Sequence, residues 1–231
     1  MASSDWISFY DSKHWIYVNA RHRIAHCQGL ADGFVRYAPR DGVMLDYGCG
    51  ESLFADRVAD VTARLILCEP APNVRTAIAG RFAGNPKIAV RKPEDIGMMT
   101  PRSIDVIVMH SVAQYLSAQE LDRLLRLFHR LLARGGLLVV SDVLPHKLSS
   151  TADALDLLRF GAQKGFYWAA VFGLLRTLFS GYRRLRNAFG LSRYDEDEMI
   201  ARLEAVGFSA LRARTNIGHS SRRMTFMAHV R

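Results

Sequence analysis

Two carboxylates and two glycines between residues 46 and 69 carry the chemistry that the rest of the chain has to position. Asp46 follows the apolar run Val43-Met44-Leu45, Gly48 and Gly50 come one residue apart just after it, and Glu69 closes the next apolar run. Lacking Cβ atoms, the glycines let the backbone turn tightly and let a ligand lie against it. The pattern predicts a buried strand turning sharply into a helix from Glu51, whose amides and dipole would favour the anionic end of a ligand. Asp46 can accept a hydrogen bond from a cationic or hydroxyl-bearing ligand. Glu69, at the end of a second strand, can accept both hydroxyls of a ribose, the nucleoside arrangement at the switch point of a doubly wound sheet.

The elements that must hold these groups can be read in order. Residues 1–18 are rich in aromatics (Trp6, Phe9, Tyr10, Trp15, Tyr17) and read as irregular, and Asn19 caps a helix running to about Tyr37. From Gly42 strands and helices alternate: strands at 43–47, 64–68, 88–90, 104–109 and 137–143, and helices at 51–60, 71–82 and 117–133. Ser117 and Glu120 form a capping box, Leu121, Leu124, Leu125, Phe128, Leu131 and Leu132 face inward, and Gly135-Gly136 stops the helix. Apolar strands between helices predict a parallel sheet covered on both faces. Residues 148–190 interrupt the rhythm with one or two apolar helices. A helix from about 194 to 206 and two strands near 209–216 and 224–230 end the chain as a hairpin.

At this point the motifs resemble a known family. Asp46-x-Gly48-x-Gly50 after a strand, Glu69 after strand two, Ile104-Asp105-Val106-Ile107-Val108 as strand four, and Leu131-Leu132-Ala133-Arg134-Gly135-Gly136-Leu137-Leu138-Val139-Val140 leading strand five are together similar to the class I S-adenosylmethionine-dependent methyltransferases of small molecules. The resemblance covers roughly residues 42–145 and 195–231. It implies an α/β, Rossmann-like, doubly wound, mostly parallel seven-stranded sheet with an antiparallel C-terminal strand. The whole chain, 1–231, would be one domain: a helical leader at 1–41, the cofactor-binding sheet at 42–147 and 191–231, and a helical lid at 148–190. It further implies that Gly48 and Gly50 pack against the methionine part of S-adenosyl-L-methionine, that Asp46 helps hold its amino group, that Glu69 takes the ribose and that Glu94 meets the adenine. In this family a leader helix commonly covers the cofactor, which would bring Arg21 to the methionine carboxylate and His22 or His26 to the acceptor. Two positions depart from the family pattern: Ser52 stands where a third glycine is frequent, and Lys92 where an adenine-binding aspartate is usual. A nicotinamide-dependent dehydrogenase, the rival use of such a sheet, wants Gly-x-Gly-x-x-Gly, and the third position here is Leu53.

Methyl transfer to a hydroxyl or ammonium requires removal of a proton, which histidine suits because its pKa lies near neutrality. His110, directly after strand four, is the first candidate and His22 the second; no metal is implied. The 148–190 insertion should rise above the carboxyl edge of the sheet, and its side chains (Phe166, Tyr167, Trp168, Val171, Phe172, Leu174, and further on Leu175, Leu178 and Phe179) exceed what a connection needs. It reads first as a lid over a largely apolar small-molecule acceptor, then as a face on an anionic membrane surface (157–194), then as a homo-oligomer contact.

Composition bounds these readings. The net charge of +9 is concentrated: between Leu157 and Tyr194 there is no acid, while Arg159, Lys164, Arg176, Arg183, Arg184, Arg186 and Arg193 are all basic. That points to a local anionic partner. Nucleic acid is disfavoured because the charge is interleaved with apolar side chains and no appended binding module is visible. A nucleic-acid methyltransferase and a catalytically silent cofactor-binding module are the alternatives. Cys27, Cys49 and Cys68 form no ligand spacing, the first residues show no signal-peptide pattern, and the expectation is a reduced, cytoplasmic protein.

Overall fold

The computed structural model of the 231-residue chain describes residues 2–12, 17–148, 150–177 and 190–231. Trp15, Leu178, Phe179, Arg183, Arg184 and Arg186 lie outside the described residues, as do the side chains of Leu175 and Arg176. Seven strands form one sheet: β1 (Val43–Tyr47), β2 (Arg64–Cys68), β3 (Ile88–Arg91), β4 (Ile104–His110), β5 (Leu132–Val143), β6 (Phe208–Arg212) and β7 (Met224–Val230), in the order β3-β2-β1-β4-β5-β7-β6. Strands β1 to β5 pair in parallel, and β7 runs antiparallel to both β5 and β6.

Alternation along the strands builds a core on each face. Leu45, Ile107 and Met109 pack on one side with Leu125, Phe128, Phe208 and Phe226. Met44, Val106 and Val108 pack on the other with Val58, Ile78, Phe34 and Ile217. A two-residue period sends neighbours to opposite faces, so near-continuous apolar strands need cover on both. Three helices supply much of it. Helix α2 (Ala20–Val35) buries Cys27, Ala31 and Phe34, and the Asn19 side chain accepts its first-turn amide from His22 at 2.8 Å. Helix α6 (Ala118–Leu131) buries the leucine stripe and Phe128, its capping box closed by Ser117 and Glu120 as the sequence implies. Helix α9 (Glu196–Ala205) buries Met199 and Leu203.

Three local expectations are corrected. The first residues are not irregular: α1 (Ala2–Asp11) is a helix anchored by Trp6, which is 2% exposed and packs on Tyr115 at 4.7 Å between ring centroids. Anchoring by one buried indole leaves little periodicity to read. The helix expected from Glu51 begins later, as the five-residue α3 (Ala55–Ala59), because Gly48, Gly50 and Ser52 all take positive φ. So short a helix has little dipole to offer. Gly135-Gly136 does not end α6, which stops at Leu131. The pair instead serves a bulge that shifts the β4–β5 register, where a Cβ on Gly136 would lie 2.9 Å from the Ala133 carbonyl. A short helix α5 (Pro93–Gly97) follows β3.

The remaining helices are α4 (Pro72–Arg81), α7 (Ser150–Lys164) and α8 (Tyr167–Thr177). The last two belong to the 148–190 insertion, and α8 closes against the leader so tightly that a Cβ on Gly173 would sit 2.2 Å from Val18. No helix among the described residues is long and apolar enough to cross a membrane.

Candidate active site

The carboxyl ends of β1, β2 and β4 open into a cavity of about 2480 Å³. Its floor at one end is the loop after β1. The amides of Gly48 and Cys49 donate to the Cys68 carbonyl at 2.8 and 3.1 Å, which fixes the loop against the end of β2. Gly48 (φ +75) must be glycine for an internal reason: a Cβ there would meet Val112 at 2.4 Å. Gly50 (φ +57) is the opposite case, since a Cβ there would meet no protein atom within 4 Å and would project into open space. The loop therefore leaves room for a ligand at Gly50, while Gly48 shapes the protein.

Glu69 is 6% exposed, and both its oxygens take backbone amides, Gly50 at 2.8 Å and Ala71 at 2.9 Å. Burial raises its pKa despite those two bonds. Each oxygen keeps a second lone pair for a hydroxyl. Asp46, 4% exposed, receives no hydrogen bond from a described residue; burial first, and the Glu69 charge second, push its pKa up to about 7. A buried carboxylate held that high awaits a cation or a hydrogen-bond donor. Glu51, also on the wall, has one oxygen 3.6 Å from Arg23 and the other buried with no hydrogen-bond partner. Glu94 stands exposed in the first turn of α5 and lines the same end. Helix α1 closes this end from above: Asp11 accepts the Asn73 amide at 2.6 Å at the start of α4, and the Tyr10 and Tyr115 hydroxyls meet at 2.6 Å.

The other end lies at β4 and β5. His110 is buried, with Nδ1 2.9 Å from the Ser141 hydroxyl. Burial lowers its pKa; Asp142 opposes that, and Arg223 and His219 add to it. Asp142 accepts hydrogen bonds from the Ser111 hydroxyl, from Arg223 at 2.6 Å and from Asn216 at 3.3 Å. Burial alone would raise this carboxyl, but Arg223, then His110 and Ser111, hold it below its ordinary value. Gln114 is buried on the same wall with its carboxamide oxygen unpartnered, while its nitrogen donates to the Ser111 carbonyl at 3.3 Å. His22 reaches the cavity as its sequence position implies, stacked on Phe166 at 4.9 Å. Leu157, Leu158, Val171, Phe172 and Leu174 line the cavity from the insertion.

Asp46, Gly48, Gly50, Glu69, Glu94, His22 and His110 thus share one cavity. Arg21 does not line it: its guanidinium donates to the Gly165 carbonyl at 2.9 Å, bracing the α7–α8 corner. Sequence reasoning missed Ser111, Gln114, Asp142 and Arg223; His219, on the loop of the terminal hairpin, was not chosen as a site residue. The available signal was Ser141-Asp142, a polar pair ending an otherwise apolar strand.

The seven-stranded order with a single antiparallel strand, and a glycine loop facing a carboxylate across β1 and β2, define a Rossmann-like class I methyltransferase fold. Residues 45–138 match the family described as a methyltransferase domain. Magnesium protoporphyrin IX methyltransferase from Synechocystis PCC 6803, solved with bound SAM, is similar at TM-score 0.63 and 13% identity over 100% of this chain and 98% of that one. The DhpI–SAH complex is similar at TM-score 0.62 and 14% identity, covering 98% and 96%. Phosphoethanolamine N-methyltransferase 1 of Haemonchus contortus matches at TM-score 0.51 and 14% identity over 64% of this chain, which spans only 34% of that protein. No curated protein matches the chain by sequence.

Proposed function

We propose that this protein transfers a methyl group from S-adenosyl-L-methionine to a small, largely apolar acceptor held beneath α7 and α8. The observation that carries this reading is the cavity: at about 2480 Å³ it exceeds the ~300–1,000 Å³ of an ordinary ligand pocket, and it joins the glycine loop to the insertion. There is room for two ligands end to end. The residues fit the cofactor: open space at Gly50, a fixed carboxylate at Glu69 for the ribose hydroxyls, and the partnerless carboxylate of Asp46 for an amino group. Glu94, which lines the same end, is the candidate contact for the adenine. Complexes with SAM or SAH among the similar folds support the same choice.

When bound, the cofactor supplies a methyl already activated by its sulfonium, so the protein's work is alignment and proton removal. His110 is buried, unprotonated at neutral pH because of its lowered pKa, and oriented by Ser141, and so suits a base. His22 stands farther along the wall as a polar contact for the acceptor. Free Cys27, Cys49 and Cys68 support a reducing, cytoplasmic setting.

A second reading, docking of the insertion on an anionic membrane, is favoured by Trp168 and Phe172, 71% and 67% exposed on α8, with Arg159 and Lys164 exposed on α7. The nucleic-acid alternative gains nothing: Arg57, Arg202, Arg212 and Arg223 all face acids within the protein. Calorimetry with S-adenosylhomocysteine, followed by radiolabelled methyl transfer across a panel of apolar hydroxyl, amine and carboxylate compounds, tests the proposal. Failure to bind S-adenosylhomocysteine overturns it; binding with no turnover on any compound favours a silent binding module.

A further inference from the structure

Ionisable side chains line both ends of the cavity. Asp46, Glu51, Glu69 and Glu94 lie around the glycine loop and α5. At the far end four imidazoles from three separate elements meet: His22 and His26 on α2, His110 at the end of β4, and His219 between β6 and β7. His26 is their centre, with ring centroids 6.2 Å from His22, 6.5 Å from His110 and 6.2 Å from His219. Phe166 stacks on His22 and Phe160 on His219, at 4.9 and 5.1 Å.

The hydrogen bonds of His22 and His26 leave particular atoms of those two rings open among the described residues. His22 accepts the Val18 amide on Nδ1 at 3.3 Å, so its neutral ring carries the proton on Nε2 and can donate from there. No described residue hydrogen-bonds either nitrogen of His26. Burial, reinforced by the neighbouring imidazoles, lowers His22 to about 4 and His26 to about 3, so both rings are uncharged at neutral pH and offer one N–H each. The carboxylate that acts on them, Asp142, is already paired with Arg223 and Ser111. Asp156 on α7, buried nearby, is taken up by Ser220, Arg159 and Arg222. His26 is half-buried and lines the cavity, so its ring nitrogens are open to a ligand there. An ammonium would find no uncommitted carboxylate here, whereas an oxygen anion would find N–H donors and would relieve the crowding of rings that resist protonation singly.

We infer that His22, His26 and His219 form a subsite that recognises a carboxylate on the acceptor, with the apolar body of that acceptor lying against Leu157, Leu158, Phe172 and Leu174 of α7 and α8. The inference rests on the methyl-transfer reading for where the acceptor lies, and adds the class of group that anchors it.

The test uses the full chain saturated with S-adenosylhomocysteine and three probes sharing one ring system: 2-naphthoate, 2-naphthylmethanol and 2-naphthylmethylamine. Calorimetry should show naphthoate binding at least about tenfold tighter than the other two, the scale of a charge-assisted hydrogen bond. Heats in buffers of different ionisation enthalpy should show proton uptake by the imidazoles on binding. His26→Phe, which keeps the ring volume, should bring naphthoate down to the level of the alcohol, and His26→Gln should restore part of the preference. Equal binding of naphthoate and alcohol, no naphthoate binding at millimolar concentration, or a preference that survives His26→Phe each overturns the inference. Should His26→Phe fail to fold, the three-probe comparison on the unaltered chain and the glutamine variant decide alone. Loss of S-adenosylhomocysteine binding would instead count against the methyl-transfer reading, and so separates the two.

Discussion

The carboxylate of Glu69 accepts the backbone amide of Gly50 at 2.8 Å, tying the residue after β2 to the loop after β1. One side chain thereby has two tasks: it holds the loop open and presents its remaining lone pairs to the cavity. Glu69→Ala should weaken S-adenosylmethionine binding by about 1.5–3 kcal/mol, the range for hydrogen bonds to a charged group. Calorimetry on a variant with an unchanged circular dichroism spectrum checks this. Unaltered affinity would remove Glu69 from the site.

Gly48 and Gly50 should fail in different ways. Gly48→Ala places a Cβ 2.4 Å from Val112 and forces φ +75 on an L-residue, so stability should fall by more than the ~1–2 kcal/mol of left-handed strain alone. Val112→Ala in the same chain should recover the steric part. Gly50→Ala meets no protein atom, so thermal unfolding should move only by the strain while cofactor binding is lost. Denaturation and binding measured on all three variants separate the two roles.

Asp46 supplies a pH signature. Its folded pKa of about 7 lies above the ordinary 3.8, so between those values the folded chain holds a proton that the unfolded chain has lost. Stability of the cofactor-free protein is therefore lost as pH rises through that window, and the cost is fully present above pH 7. Asp46→Asn should raise the melting temperature above pH 7, by roughly 2–4 °C per kcal/mol recovered. Cofactor affinity of the unaltered protein should run the other way, falling below pH 7 as the carboxylate is protonated and stops meeting a cation. Melting temperatures without ligand and dissociation constants, both from pH 5 to 9, give the two curves; parallel curves would refute the assignment.

His110→Ala should lower turnover by ~10²–10⁴-fold with cofactor affinity nearly unchanged. Because burial lowers the His110 pKa, the rate should stay level across neutral pH and fall only on the acid side, where the base is protonated. Ser141→Ala, which frees Nδ1, should cost less and move that acid limb. A loss of only a few-fold in His110→Ala would leave the residue as a positioning group.

Trp168, 71% exposed, distinguishes a lid from a docking face. Trp168→Ser should leave the melting temperature nearly unchanged, as surface substitutions do. If α8 docks on anionic bilayers, phosphatidylserine vesicles should retain the unaltered protein at low salt and release it at high salt, and the serine variant should not be retained. Absence of retention at low salt supports the lid alone.

The sheet and most of the cofactor end were legible in the chain because they are local. Asp46, Gly48, Gly50 and Glu69 lie in one strand–loop–strand unit, and apolar runs of period two or helical spacing announce the elements around them. Loop conformation was not legible: three positive φ angles at Gly48, Gly50 and Ser52 delay α3, and backbone torsions of that kind depend on Cys68 and Val112, which are distant in sequence. Arg21 shows the same limit in reverse. Its type and position suit a carboxylate partner, yet the Gly165 carbonyl, 144 residues away, takes its guanidinium. The far end of the cavity belongs to tertiary structure almost entirely. Ser111, Asp142 and Arg223 come from three elements, and His26 gains its meaning only where α2 crosses the ends of β4 and the β6–β7 loop. Periodicity records which face of an element is buried, whereas the pairing of polar groups across a cavity is set by how those faces close over one another.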